Sequence, residues 1–109
     1  MLKKIYRLKV LKRSNGAKTI ISSLFTLRFW ENGESLSKFA FIISKKIDKK
    51  AVIRNKIKRS LARVLKEILI GIKPGYNFVF IVKKEILEKS QEEIEKSLKE
   101  TFKINNLLK

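Results

Sequence analysis

The residues of this chain with the clearest chemical capacity are cations. In Lys45–Arg63, KKIDKKAVIRNKIKRSLAR, every charged side chain except Asp48 is lysine or arginine. Arginine forks grip phosphate oxygens in a bidentate way, and lysine ammoniums act as compact point charges. The second half of the run is also periodic. Ile53, Ile57, Leu61, Val64, Leu65 and Ile68 recur at helical spacing on one side. Asn55, Lys56, Lys58, Arg59, Arg63 and Lys66 fall on the other side, with Arg54 at the boundary. Such a helix buries one face and presents a row of cations on the other. The polyanion it suits best is RNA or DNA.

Chemistry carried by the protein itself finds little support. The 109 residues include no histidine and no cysteine, which removes the usual neutral-pH general base, disulfides and thiolate metal sites. Of the acids, Glu31, Glu34, Asp48 and Glu67 are scattered, and the other six lie between Glu85 and Glu100 in a mixed-charge segment. No pair has the spacing of a two-metal carboxylate site, and no nucleophile–base set can be assembled. The expectation is no catalytic residue and no protein metal site.

The net charge is +17, with a pI near 10.3. Such a field favours nucleic acid or an anionic membrane surface and says nothing of fold. Residues 1–84 hold 22 Lys+Arg and 4 acids, and residues 85–109 hold 5 Lys and 6 Glu, so the basic surface belongs to the first three quarters of the chain. The basic N-terminus MLKKIYRLKVLKR lacks the apolar stretch of a signal peptide. The longest apolar runs, Phe39–Ile43 and Phe78–Val82, are too short to span a bilayer. A single domain over residues 1–109, cytoplasmic and without a membrane partner, is expected.

These residues must be held by a scaffold. Residues 1–13, with Leu2, Ile5, Leu8 and Leu11 at three-residue spacing, read as a short helix or irregular arm, and Ser14-Asn15-Gly16 as a turn. TIISSLFTLRFW, from Thr19 to Trp30, reads as a strand, with Ile21, Phe25, Leu27 and Phe29 on one face and Thr26 and Arg28 on the other. Asn32-Gly33 predicts a hairpin to a second strand over 36–44, whose nearly continuous apolar run predicts cover on both faces. A helix over 50–70 follows, with Gly71 as its C′ residue and Pro74 just beyond. Tyr76–Val82 is a buried strand. A last helix covers 85–105, with Ile86, Ile94, Leu98 and Phe102 as its apolar face and Ser90 or Glu88 near its start. The fold class is α+β: a two-layer sandwich with helices on one face of a small mixed sheet and the basic helix in a crossover.

The motif S-x-K…A-V-x-R-N-x-x-K-R-x-x-x-R, set by Ser44, Lys46, Ala51, Val52, Arg54, Asn55, Ile57, Lys58, Arg59 and Arg63, resembles the protein subunit of bacterial ribonuclease P. Arg7-Leu8-Lys9, Pro74-Gly75-Tyr76-Asn77 leading into FVFIVKK, and the closing mixed-charge helix agree in order. The resemblance implies a sandwich similar to domain 2 of ribosomal protein S5, with the basic helix in a left-handed crossover, against the general right-handed rule. It implies an accessory subunit, one per RNA, of an endonuclease that removes the 5′ leader of precursor tRNA. The RNA subunit would carry out hydrolysis with Mg²⁺. The chain departs from the family in a loop one residue longer at Ile47–Lys50. Its N-terminal segment is also shorter, with no aromatic between Arg7 and Gly16.

On this reading Lys45, Lys46, Lys50, Arg54, Asn55, Lys56, Lys58, Arg59 and Arg63 contact the catalytic RNA. Asn55 serves equally well as a structural residue. Phe25, Arg28 and Phe29 meet the leader, although Phe25 is the better fit to a core. Phe39, Phe41, Phe78, Phe80 and Phe102 read as core, and Trp30 as cover for the sheet edge. A general RNA-binding or ribosomal protein explains the charge equally well but not the motif. A stand-alone nuclease lacks the acids or histidine it needs. A membrane-surface protein needs an apolar face free to insert, and here the sheet needs that face.

Overall fold

A computed structural model describes residues 6–8 and 17–109. The turn expected at Ser14-Asn15-Gly16, and all but residues 6–8 of the expected N-terminal arm, lie outside the described residues. Within 6–8, Arg7 forms a parallel bridge with Phe39, and the Leu8 N–H donates to the Phe39 carbonyl at 2.9 Å. This short piece therefore runs along the edge of the sheet.

The strands are β1 (Lys18–Ile21), β2 (Phe25–Glu31), β3 (Lys38–Ile42) and β4 (Tyr76–Val82). The helices are α1 (Ala51–Ile68) and α2 (Gln91–Ile104), preceded or followed by 3-10 turns at Leu69–Gly71 and Lys84–Glu88. The sheet order is β1-β2-β4-β3. β4 is antiparallel to β2 and parallel to β3. A parallel neighbour needs a long crossover connection, and α1 supplies it. The α+β sandwich with a mixed sheet is as expected.

The strand pairing differs from the sequence reading in two ways. First, the stretch from Lys18 to Trp30 is two strands. Ser22 breaks it: its N–H and Oγ–H both donate to the Phe25 carbonyl at 2.9 Å, and its Oγ accepts from the Phe25 N–H. Lys83 ties this turn to the end of β4, through Nζ to the Ser22 carbonyl and N–H to the Leu24 carbonyl. The turn places Ile21 opposite Thr26 rather than on the face of Phe25, and leaves it 75% exposed.

Second, Asn32-Gly33 does not make a hairpin, because β4 lies between β2 and β3. Gly33 takes a φ of 70°, which glycine adopts at no steric cost. The Asn32 side chain accepts from the Glu34 N–H and donates to the Leu36 carbonyl and to Asn77 Oδ1. The Asn32 N–H donates to the Gly75 carbonyl, and Gly75 itself has φ 85° with a would-be Cβ only 3.2 Å from the Glu34 carbonyl oxygen. Ser37 Oγ donates to the Lys73 carbonyl and accepts from the Tyr76 N–H. Pro74-Gly75-Tyr76-Asn77 is thus a staple between two loops.

β3 is shorter than expected and covered on one face. Phe39 is buried and Phe41 partly so, while Ile42 is 37% exposed at the sheet's edge. Gly71 is not a left-handed cap: it closes a 3-10 turn with no positive φ, and the Ile72 N–H bonds back to the Leu69 carbonyl. The final helix is interrupted before Ser90. That residue opens α2 with a capping box, its Oγ accepting from the Glu93 N–H while the Ser90 N–H donates to the Glu93 carboxylate.

The core lies between the sheet and the two helices. Phe39 and Phe41 stack on Phe78 and Phe80 at 5.3 and 5.5 Å, as the parallel register dictates. Phe102 from α2 meets Phe78 edge-on at 5.3 Å. Leu61, Val64 and Leu65 of α1 and Leu98 of α2 are essentially inaccessible. Burying each such side chain contributes about 1.5–3 kcal/mol. This is the force that fixes which side of α1 faces out.

Candidate nucleic-acid interface

The apolar positions of α1 decide the geometry of its cations. Ile57, Leu61, Val64 and Leu65 are buried, and Ile53 and Ile68 pack partly against the core. Asn55, Lys56, Lys58, Arg59, Arg63 and Lys66 are all exposed, as the periodicity predicts. Lys56, Arg59, Arg63 and Lys66 follow a 3-4-3 spacing and form one stripe about 15 Å long. Like charges three or four residues apart cost a helix roughly 0.2–0.5 kcal/mol per pair, so the stripe is unfavourable for α1 alone.

Nothing in the described protein relieves it. Among the described residues, no ion pair uses a cation between Lys45 and Lys66; the pairs are Lys38–Glu34, Lys89–Glu93 and Lys99–Glu95. Glu67, the acid of α1, is turned towards α2. It lies beside Glu95 and Lys99, and the bond to the Lys99 ammonium holds the Glu95 carboxyl below its usual value. The helix also starts without a side-chain cap and with no acid in its first turn, which leaves the positive end of its dipole beside Lys49 and Lys50.

The loop before α1 carries Lys45, Lys46, Lys49 and Lys50, all exposed. Asp48 is committed to shaping it, with Oδ1 accepting from the Lys50 N–H at 2.8 Å. Arg54 does the same from the helix. Its Nη1 donates to the carbonyls of Asp48 and Lys49, both at 2.9 Å. That nitrogen has no further hydrogen to offer, so Arg54 braces the loop that displays the lysines. Its Nη2 and Nε are not used in these bonds, so bracing the loop leaves its expected RNA contact in place. Val52, which the sequence placed in the motif but not among the contact residues, is 76% exposed in the first turn of α1 among these cations. Its place outside the periodic apolar set was the available signal.

The three residues expected at the leader separate. Phe25 is fully buried and Phe29 is 6% exposed, both facing the helices. Phe25 packs edge-on against Phe80, and Phe29 stacks on Phe78. Neither ring is open to a base, and their assignment to the leader is corrected. Arg28 alternates to the other face of β2, with Thr26 and Trp30, and is in register with Val79. Its Nε is shielded from water and has no hydrogen-bond partner among the described residues. A buried donor without an acceptor costs about 1–3 kcal/mol. Arg28 thus lies on the face of the sheet away from the helices with one donor unsatisfied among the described residues.

No group of three or more acids that could hold a metal ion occurs among the described residues. No described helix is long and apolar enough to cross a membrane.

The fold and this surface define a class: a small two-layer α+β protein whose crossover helix turns a polycationic face to solvent. The family model of Ribonuclease P matches residues 8–105, and the chain belongs to that family. The ribonuclease P protein component of Caldanaerobacter subterraneus subsp. tengcongensis is 33% identical over 92% of this chain and 90% of its own length. That of Microcystis aeruginosa is 35% identical over 66% of this chain and 60% of its own length. A Staphylococcus aureus RNase P protein mutant with defective mRNA degradation activity shares the fold at a TM-score of 0.81 and 23% identity, covering 95% of this chain and 91% of that one. The family is that of the protein component of a tRNA-processing endonuclease complex in which RNA is the catalyst.

Proposed function

We propose that this chain binds the catalytic RNA of ribonuclease P through the exposed face of α1 and its preceding loop, and holds the 5′ leader of precursor tRNA on the open face of the sheet. Lys56, Lys58, Arg59 and Arg63 take phosphates of the catalytic RNA, with Asn55 beside them. Lys45, Lys46 and Lys50 extend the contact from a loop that Arg54 keeps in shape. Arg28 meets the leader, with Trp30 next to it on the same face. One RNA-binding domain serves one RNA, in the cytoplasm. The observation that carries this reading is the α1 stripe, which no acid of the described protein neutralises. RNA phosphates offset that repulsion and release counterions in doing so.

Among the described residues no group of three or more His, Cys, Asp or Glu is placed to hold a metal ion. Mg²⁺ belongs with the RNA subunit, and the protein's part is to position two RNAs. Reconstitution tests this. A bacterial ribonuclease P RNA, a precursor tRNA and the protein are mixed at low Mg²⁺, and leader release is followed. Cleavage by protein and RNA together, where neither suffices alone, is the expected result. Binding without rescued cleavage would leave only a general RNA-binding protein, and cleavage by the protein alone would overturn the account.

A further inference from the structure

A second feature lies away from α1 and from the open face of the sheet. At the β1 edge, on the side of the helices, a cleft of about 600 Å³ is lined by Lys18, Thr19, Lys73, Tyr76, Asn105 and Asn106, over a floor of Ile20, Phe29 and Leu107. It is formed by four separate pieces of chain, one of them Phe29 of β2. Lys18 lies opposite Phe29 in the sheet register, on the face that the helices cover. Lys73 is held by its N–H to the Leu107 carbonyl. The segment after α2 is fixed by Asn106 at φ 60° and by the Leu107 N–H to the Phe102 carbonyl.

Its chemistry has one sign and two textures. Among the described residues no carboxylate lines it. The Lys18 and Lys73 ammoniums, the Tyr76 hydroxyl and the Asn106 amide have no hydrogen-bond partner among the described residues. The Tyr76 ring is half-buried and held edge-on against Phe29 at 6.1 Å, so it is a rigid wall. A cleft with two amines, an amide and a fixed aromatic wall fits a phosphate joined to a flat, partly apolar group.

We infer that this cleft is a second RNA contact and takes one nucleotide of a single strand. Lys18 and Lys73 hold its phosphate, Tyr76 packs against its base or ribose, and Asn106 hydrogen-bonds the base edge. The inference rests on the RNA-binding reading of α1 and extends it. Among the described residues the stripe on α1 has no aromatic partner and grips backbone only, whereas this cleft sorts a nucleotide from a bare phosphate.

The test uses the full chain and a short fluorescent oligoribonucleotide, with binding measured across salt concentrations for the wild type, K18Q/K73Q and Y76F. Lys18 is exposed and Lys73 serves the fold through its backbone, so the double variant is expected to fold as the wild type does. Its log K against log salt is expected to be shallower by about 0.7, the value for one phosphate contact on a single strand. Y76F keeps the ring and is expected to retain that slope. Amide resonances of Thr19, Ile20, Asn106 and Leu107 are expected to shift on adding the oligonucleotide to the wild type and to stay still in K18Q/K73Q. If the wild type binds but the double variant matches it in affinity and slope, with those amides unmoved, the cleft is not an RNA site and the α1 reading stands. If uridine 5′-monophosphate shifts those amides at lower concentration than the oligonucleotide, the site belongs to a free nucleotide and the RNA assignment is wrong. If the wild type binds no RNA, the α1 reading fails with it.

Discussion

α1 and α2 lie side by side on the same sheet and bury faces of the same kind, yet their polar faces are opposites. α2 begins with the Ser90–Glu93 capping box and is laced by Lys89–Glu93 and Lys99–Glu95. α1 begins with no side-chain cap, carries no acid in its first turn, and sets Lys56, Arg59, Arg63 and Lys66 in one unpaired stripe. A polar face that satisfies itself serves the fold. A polar face that repels itself is retained where an outside anion completes it. The difference separates the structural helix from the functional one, and it rests on the partners of the charges, since both helices are rich in lysine.

The largest expected effects are those the two helices share. Leu61→Ala in α1 and Leu98→Ala in α2, both fully buried, are each expected to destabilise the fold by about 2–5 kcal/mol in denaturant unfolding. A much smaller loss at Leu61 than at Leu98 would mean that α1 is not seated on the sheet as described.

Next come the polar faces. Arg59→Ala with Arg63→Ala is expected to weaken binding to the catalytic RNA by at least about tenfold at moderate salt. Its log K against log salt should be shallower by about 1.8 if both contact duplex-like phosphates. Lys96→Ala with Lys103→Ala on α2 should change neither. Equal losses from the two pairs would reduce the interface to net charge. Sulfate should likewise raise the thermal midpoint of the wild type more than that of the Arg59/Arg63 variant, by mass action on anion sites of the folded state.

Ser90→Ala is expected to cost about 1 kcal/mol, because it removes a cap that α2 has and α1 lacks. The smallest effect is that of pH. The Ser90 backbone N–H, more than any other group, lowers the Glu93 carboxyl below 4.5, and the bond to Lys99 does the same for Glu95. Carboxyls lowered in the folded state stabilise it above pH 4.5, and that support fades as pH falls through their folded values. Lys99, raised above 10.5 chiefly by its bond to Glu95, contributes below pH 10.5 and fades as pH climbs past its folded value. Carbon chemical shifts of the α2 helix should therefore report fraying in acid. No similar loss is expected along Lys56–Lys66, where no carboxylate takes part.

How much of this was readable in the sequence follows from the range of each interaction. The two faces of α1 were legible from Ile53 to Ile68, because helical periodicity is local and burial only selects which face turns in. β4 was legible to the residue for the same reason. The order of the strands was not, because Asn32-Gly33 is a local turn signal. It says that the chain bends, and it cannot say that β4, some forty residues on, inserts between β2 and β3. Ser22 was missed because its turn is closed by its own hydroxyl inside a β-rich string, and by Lys83 from far along the chain. Alternation placed Arg28 opposite Phe25 and Phe29 correctly, but which side met the helices was a tertiary matter. Arg54 sat at the boundary of the two faces in sequence. Only the path of the Asp48–Lys49 backbone shows that it braces the loop.

The absence of cysteine allows the central claim to be tested directly. A cysteine introduced at Lys56 or at Lys96 can carry a tethered Fe(II)–EDTA group, and the radicals it generates cut RNA that lies beside it. The account predicts strong, localised cuts in the catalytic RNA from position 56 and only background cutting from position 96. Equal cutting from both positions, or none from position 56 in a complex that still forms, would contradict it.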